Sequence, residues 1–439
     1  MNQKVYPVRN RRFSNGAWII SVNMGYGHQR TAFPLRDLAP EGKVICANDY
    51  PGMPVRDRRI WETTRKIYES ISRIKKIPLI GEFIFFIFDR IQKILRFYPK
   101  RDMSQPNFQL KQISALIKRG WGKHLIEKLK SNPLPIITTF FTPAFMAEYF
   151  GYPGEIFCVI CDADIARTWA PICPQKSRIK YFAPTSWVVS RLKLYGVKEE
   201  NIFFTGYPLP QSLIGGEKME TLLRDLESRI FNLDQKKKYF KQYKVLVDKY
   251  FGRLPEFQDH PLTIMFAVGG AGAQKEIGIK ILKSLAGKIK ADEIKIILVA
   301  GTRKEVKEYF ERNIKNLKLK NNLDKNIEIV FDEDIESYFQ KFNLALRKTD
   351  VLWTKPSEIS FYTALGFPII IAPPVGSQEE FNKKWLLRLG SGIPQENPNY
   401  TNQWLFDFLD SGRFAEAAMQ GFIEGEKLGI FNIQKIISQ

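Results

Sequence analysis

Short apolar runs, each closed by glycine, proline or a polar residue and followed by a helix-like stretch, recur along this chain in two sets. The first set lies at 18–22, 43–47, 135–138, 156–160, 180–183 and 201–205. The second is "LTIMFAVGG", "IKIILVAG", "IEIVFD", "DVLWTK" and "FPIIIAPP". Buried-looking strands separated by helices predict parallel sheets covered on both faces, an α/β fold. Between the sets the chain turns helical and basic, as in "DQKKKYFKQYKVLVDKYFGR". A chain of 439 residues exceeds what one core organises. The expected division is an N-terminal Rossmann-like domain at 1–210, a helical connecting segment at 211–260, a second Rossmann-like domain at 261–400 and closing helices at 401–439. Two doubly wound domains face a cleft, and their ligands sit beyond the carboxyl ends of the strands.

The formal net charge of +21 attracts polyanions: nucleic acid, anionic lipid surfaces or phosphorylated small molecules. No nucleic-acid module is recognisable, so no specific nucleic-acid partner is expected. The basic stretch at 4–12 is followed by too short an apolar run for a signal peptide, which predicts a cytoplasmic location. Four cysteines do not make a disulfide framework in a chain this long. Cys158 and Cys161 lie in the apolar run "EIFCVICD", where residues three apart on a strand face opposite ways, so no metal site is expected.

Two glycine-containing turns follow strands. In "SVNMGYGHQR", Gly25 and Gly27 let backbone N–H groups approach a ligand at a helix start, and His28 sits at its mouth. His28 there is either a base for a hydroxyl held in the cleft or a histidine bonded to its own turn. In "FAVGGAGAQKE", Gly269, Gly270 and Gly272 form a phosphate-cradle layout without the Walker lysine. Arg303 in "LVAGTRKE" follows another strand, where a guanidinium suits a diphosphate. Lys355, Glu358, Gln378, Glu379 and Asn382 fall in loops or first helical turns after strands, where polar groups suit hydroxyl recognition.

The Gly-x-Gly-His turn together with "VGGAGAQ", "GTR" and "GFPIIIAPPVGSQEEFN" resembles glycosyltransferase family 28. That family includes the peptidoglycan lipid II N-acetylglucosaminyltransferase and the monogalactosyl- and glucosyldiacylglycerol synthases. "CVICDADIARTWAP" and "YFAPTSWVVSRLKLYGVKEENIFFTGYPL" also resemble family segments, in the right order. The resemblance covers roughly 18–208 and 262–392 and implies the GT-B fold.

It further implies that His28 deprotonates the acceptor while Gly25 and Gly27 shape its turn. Asp162 would be structural or near the acceptor. Gly269, Gly270, Gly272 and Arg303 would face the donor diphosphate, with Lys355, Gln378, Glu379 and Asn382 on the donor side. The donor implied is a nucleotide sugar, most often a UDP-sugar, as co-substrate with no further cofactor and no metal. Phe361 stands where the family has a ribose-binding glutamate. Glu358, three residues earlier, shares its helical face and is the candidate replacement.

Residues 55–101 carry thirteen Lys and Arg against five Asp and Glu. Within them Phe83, Phe85, Phe86 and Phe88 are followed by Arg90, Lys93 and Arg96. The uncharged core is far shorter than the roughly 20 residues needed to span a bilayer. Such a segment either lies on an anionic membrane surface or is a buried helix with a basic outer face; the family resemblance favours the membrane. The expected function is an inverting hexosyl transfer to a lipid or lipid-linked acceptor, by an enzyme held peripherally at the cytoplasmic membrane face. The alternatives are a nucleotide-sugar 2-epimerase and a degenerate, non-catalytic GT-B binding protein.

Overall fold

A computed structural model describes residues 16–74, 94–252, 260–267, 272, 274–374 and 376–438. The expected Gly269 and Gly270, and Phe83, Phe85, Phe86, Phe88, Arg90 and Lys93, lie outside them.

Twelve strands form two six-stranded, wholly parallel sheets among the described residues. The first contains β1 (Trp18–Ser21), β2 (Ile45–Cys46), β3 (Ile136–Thr138), β4 (Ile156–Val159), β5 (Lys180–Ala183) and β6 (Ile202–Phe204). The second contains β7 (Leu262–Ala267), β8 (Ile294–Gly301), β9 (Ile327–Phe331), β10 (Val351–Thr354), β11 (Ile369–Ile371) and β12 (Gly392–Pro394). Every residue of β3, β4, β7, β10 and β11 is buried, as strands covered on both faces require. The α/β reading with two Rossmann-like sheets therefore holds. Sequence reading missed β12, because "GIP" offers no apolar run to detect.

Strand order decides where a ligand can sit. The second sheet runs β12-β11-β10-β7-β8-β9, the doubly wound order in which the chain leaves β7 in one direction and returns to its other side at β10. The first runs β2-β1-β3-β4-β5-β6 and reverses between β1 and β3. At each reversal the two following loops diverge and leave a crevice at the strands' carboxyl ends. The loops at the first crevice carry Gly25, His28 and Thr139. Those at the second carry Gly272, Lys355 and Glu358.

The helix Glu220–Leu233 is tied to the second sheet by Arg229, buried to 2% exposure. Its guanidinium donates to the carbonyls of Thr349 and Leu365 at 3.0 and 2.8 Å and lies 3.7 Å from the Phe367 ring centre. The last helix, Gly429–Ile437, returns to the first half, where Asn432 Nδ2 donates to the Thr205 carbonyl at 2.9 Å. Gly429 makes this crossing possible, since a Cβ there would lie 2.2 Å from the Tyr207 carbonyl oxygen. A backbone atom cannot swing aside as a side chain can. Gly429→Ala is expected to lose about 1–3 kcal/mol of stability through overpacking, measured by urea unfolding; an unchanged midpoint would contradict the close approach.

Candidate functional site at the seam between the two sheets

The turn after β1 is shaped for close contact. Gly25 has φ 111°, a conformation side-chain-bearing residues rarely adopt, and starts the helix Tyr26–Ala32. A Cβ at Gly27 would sit 3.4 Å from Glu358 Oε2, so the turn lies directly against the Glu358 side chain of the C-terminal half. His28 follows, and its Nδ1 lies 2.8 Å from the Thr139 carbonyl oxygen. A carbonyl only accepts, so Nδ1 carries the hydrogen and Nε2 keeps its lone pair. Thr139 Oγ1 donates back to the His28 carbonyl at 3.0 Å, fixing the two loops of the first crevice to each other. Phe140 packs on the imidazole edge at 4.8 Å, and Cys161 Sγ lies 3.4 Å from Nδ1. Burial pulls the His28 pKa down to about 4, against the opposing effects of the Thr139 carbonyl and the Glu358 carboxylate. His28 is thus a neutral imidazole at neutral pH.

Two residues on, Arg30 is 2% exposed. Its Nε donates to Glu358 Oε1 at 3.1 Å and its Nη2 to the Tyr338 hydroxyl at 2.9 Å. Its guanidinium carbon also lies 4.2 Å from the Phe342 ring centre. Both partners of this ion pair are buried, and they come from opposite halves. Three further contacts run beside it. Tyr26 reaches over the turn after β8, accepting from Thr302 N at 2.9 Å, and a Cβ at Gly301 (φ 71°) would collide with its hydroxyl at 2.5 Å. Tyr207 stacks on Phe361 with ring centres 4.7 Å apart and an 11° interplanar angle. Asn382, 1% exposed, accepts from Ala163 N at 2.8 Å and donates to Asp162 Oδ1 at 3.3 Å and to the Pro356 carbonyl at 3.2 Å.

Asp162 stands on the loop after β4. Burial raises its pKa to about 7; the Asn382 hydrogen bond and Lys355 oppose the rise, while Glu358 and Glu379 add to it. Lys355 and Glu379 form an ion pair of their own, both partly buried. The seam therefore gathers His28, Asp162, Lys355, Glu358, Glu379 and Asn382.

The other expected residues are placed differently. Glu358 and Phe361 do share a 3₁₀-helical face, yet Glu358 is engaged by Arg30 and Phe361 is buried between Tyr207 and Trp385. Asn382 binds the N-terminal half's loop. Arg303 Nη1 pairs with Glu305 at 3.1 Å, and its Cδ would lie 3.6 Å from a Cβ at Gly272, so arginine and glycine turn are adjacent as expected. Gln378 is half-buried in the first turn of the helix Ser377–Leu389. Arg96 is exposed. Among the described residues no group of three or more His, Cys, Asp or Glu side chains is arranged to hold a metal.

Sequence reading missed Tyr26, Arg30, Thr139, Cys161 and Tyr207. Arg30 carried a signal, because it shares a seven-residue helix with His28 and so falls within reach of the same crevice. Arg30→Ala leaves the Glu358 carboxylate buried without its cation, which is expected to cost about 3–5 kcal/mol. Urea unfolding checks this, and a loss below about 0.5 kcal/mol would show that the pair does not join the halves.

Residues 253–325 match a domain of unknown function (DUF6938). The chain is 24% identical over 389 residues to the processive diacylglycerol beta-glucosyltransferase of Bacillus pumilus, covering 85% of this chain and 82% of that protein. It is 22% identical over 386 residues to the enzyme of the same name from Bacillus licheniformis, with the same coverage. A putative UDP-N-acetylglucosamine 2-epimerase structure from Listeria monocytogenes aligns with TM-score 0.44 and 13% identity over 81% of this chain and 84% of that one. The resemblance to glycosyltransferase family 28 thus extends, in sequence, to diacylglycerol glucosyltransferases along most of the chain.

Proposed function

We propose that this protein transfers a hexose from a nucleotide diphosphate donor, a UDP-sugar, to a diacylglycerol-type lipid acceptor. The observation that carries the reading is the seam: the loops at the two strand-order reversals meet through Arg30 and Glu358, one carrying a neutral imidazole at His28 and the other Gly272 beside Arg303. The named activity of the Bacillus relatives supports the same chemistry.

The donor diphosphate is assigned to the carboxyl end of the C-terminal sheet, where Gly272 adjoins the Arg303 side chain. His28 Nε2, its tautomer fixed by the Thr139 carbonyl, accepts a hydrogen bond from a substrate hydroxyl. The acceptor hydroxyl gives its proton to a base of the seam as its oxygen forms a bond to the anomeric carbon; the bond from that carbon to the phosphate oxygen breaks, and its electron pair leaves with the diphosphate. Attack from the face opposite the leaving group gives inversion. The charge that develops on the diphosphate is offset by backbone amides and Arg303, with no metal invoked.

Exposed groups support a membrane-facing surface on the N-terminal half. Leu95 and Tyr98 are 45% and 69% exposed beside the exposed Arg96, Lys100 and Arg101. Apolar tips among cations suit an anionic lipid interface. No helix among the described residues is long and apolar enough to cross a membrane. We place the enzyme peripherally on the cytoplasmic face.

Native protein incubated with radiolabelled UDP-glucose and vesicles containing diacylglycerol is expected to form labelled glycolipid. Epimerised sugar nucleotide without acceptor would instead favour an epimerase. His28→Ala is expected to slow transfer by about 10- to 100-fold, the range for losing one buried hydrogen-bond partner, with UDP affinity by calorimetry unchanged. An undiminished rate would remove His28 from the site.

A further inference from the structure

The seam holds two groups able to take a proton from a substrate hydroxyl, and they are built differently. His28 is oriented by a carbonyl, and no carboxylate is hydrogen-bonded to its ring among the described residues. A carbonyl orients the imidazole without supplying the full negative charge that would stabilise an imidazolium. Asp162 is a carboxylate with one oxygen, Oδ1, held by Asn382. The structure gives its Oδ2 no hydrogen-bond partner among the described residues, and the side chain is half-buried, not sealed.

The loop that carries Asp162 is fixed from both halves. Ala163 N donates to Asn382 Oδ1 at 2.8 Å, and the Ala163 carbonyl accepts from Thr185 Oγ1 at 3.0 Å. Asp164 takes two hydrogen bonds from the fully buried Arg191, at 2.8 and 2.6 Å. The Tyr195 hydroxyl donates to the Ile165 carbonyl at 2.7 Å. A loop clamped this firmly holds its one half-free carboxylate oxygen in a set position, as proton transfer requires. The preceding residue, Cys161, touches the His28 ring, and the Glu358 carboxylate acts on both His28 and Asp162, which places the two groups around one charge.

We propose that Asp162 is the catalytic base of this site, taking the acceptor's proton, while His28 holds a substrate hydroxyl in place. This assignment rests on the transferase reading above. As the acceptor oxygen attacks the anomeric carbon, its O–H bond breaks and the proton passes to Asp162 Oδ2, giving a neutral carboxyl. The bond from the anomeric carbon to the phosphate oxygen breaks, and its electron pair leaves with the diphosphate. Burial favours that protonated form and the nearby carboxylates of Glu358 and Glu379 add to it, opposed by the Asn382 amide and Lys355, while Arg30 pairs with Glu358. A base serves best when its pKa lies near the working pH, and Asp162, at about 7, meets that condition where His28, at about 4, does not.

The test is the isosteric Asp162→Asn in the full-length protein, assayed with UDP-glucose and diacylglycerol vesicles across pH 5.5–8.5. The native kcat is expected to rise with pH to a plateau above about 7, as the carboxylate forms. Asp162→Asn is expected to lower kcat by about 100-fold or more, remove that rise and leave the UDP-glucose KM within about threefold. His28→Ala is expected to keep the rise. A variant that retains the rise, or that raises KM with kcat unchanged, overturns the assignment.

A second readout needs no turnover. An Asp162 pKa raised from 3.8 to about 7 contributes stability that is complete below 3.8 and lost as pH rises through about 7. The stability of Asp162→Asn relative to the native protein, by urea unfolding, is therefore expected to increase steadily from pH 4 to 7. A difference independent of pH overturns the proposal. Native protein that transfers no sugar overturns the transferase reading and the base role with it, and is told apart because the unfolding difference still follows pH.

Discussion

The buried ion pair between Arg30 and Glu358 is the interaction on which the rest of the seam depends. Each residue belongs to a different half, and neither charge has enough water to stand unpaired. Taking both from solvent costs several kcal/mol per ion, recovered only where geometry and further hydrogen bonds are good. Those conditions are met in part, by the Tyr338 hydroxyl and the Phe342 ring face on Arg30, whose buried Nη1 has no hydrogen-bond partner among the described residues. The pair stabilises one relative placement of the two sheets more than it adds to overall stability. Any displacement of the halves would strand two charges, whereas the Tyr207–Phe361 stack would lose contact gradually.

From that placement the chemistry of the cleft follows. With the halves joined at Arg30, the turn after β1 meets the loops after β8 and β10, and Gly27 and Gly301 are the points where the backbone of one half meets a side chain of the other, Glu358 and Tyr26 respectively. Asn382 and Tyr26 then carry each half's polar groups into the other's loops. Carboxylates from both halves, Asp162, Glu358 and Glu379, share a space of reduced solvent with Lys355 and a neutral His28. Burial explains why Asp162 gains affinity for a proton, and the like charges of Glu358 and Glu379 add to it.

Much of the fold was legible in the sequence, because covered parallel strands announce themselves as unbroken apolar runs. Eleven of the twelve strands fell within or across the expected runs, and only β12, with Gly and Pro at its ends, escaped. The site was legible in outline. His28 and Gly25 were exposed by the strand-glycine-helix pattern, and Glu358 and Asn382 by their place after strands. Their partners were not, since Arg30 lies 328 residues from Glu358 and Ala163 lies 219 from Asn382. A one-dimensional pattern shows that a polar residue is near a strand end; it does not show that two strand ends face each other. Phe361 illustrates this, because a missing carboxylate in one motif becomes, in three dimensions, half of an aromatic stack between halves.

In the proposed transfer a nucleotide engages this seam from both sides at once. Hydrogen–deuterium exchange of the native protein with and without UDP tests it most directly. Slowed exchange is expected together in the turn at 23–30, the loop at 301–303 and the segments at 355–358 and 376–382. Protection confined to one half, or lying away from all four segments, would contradict it.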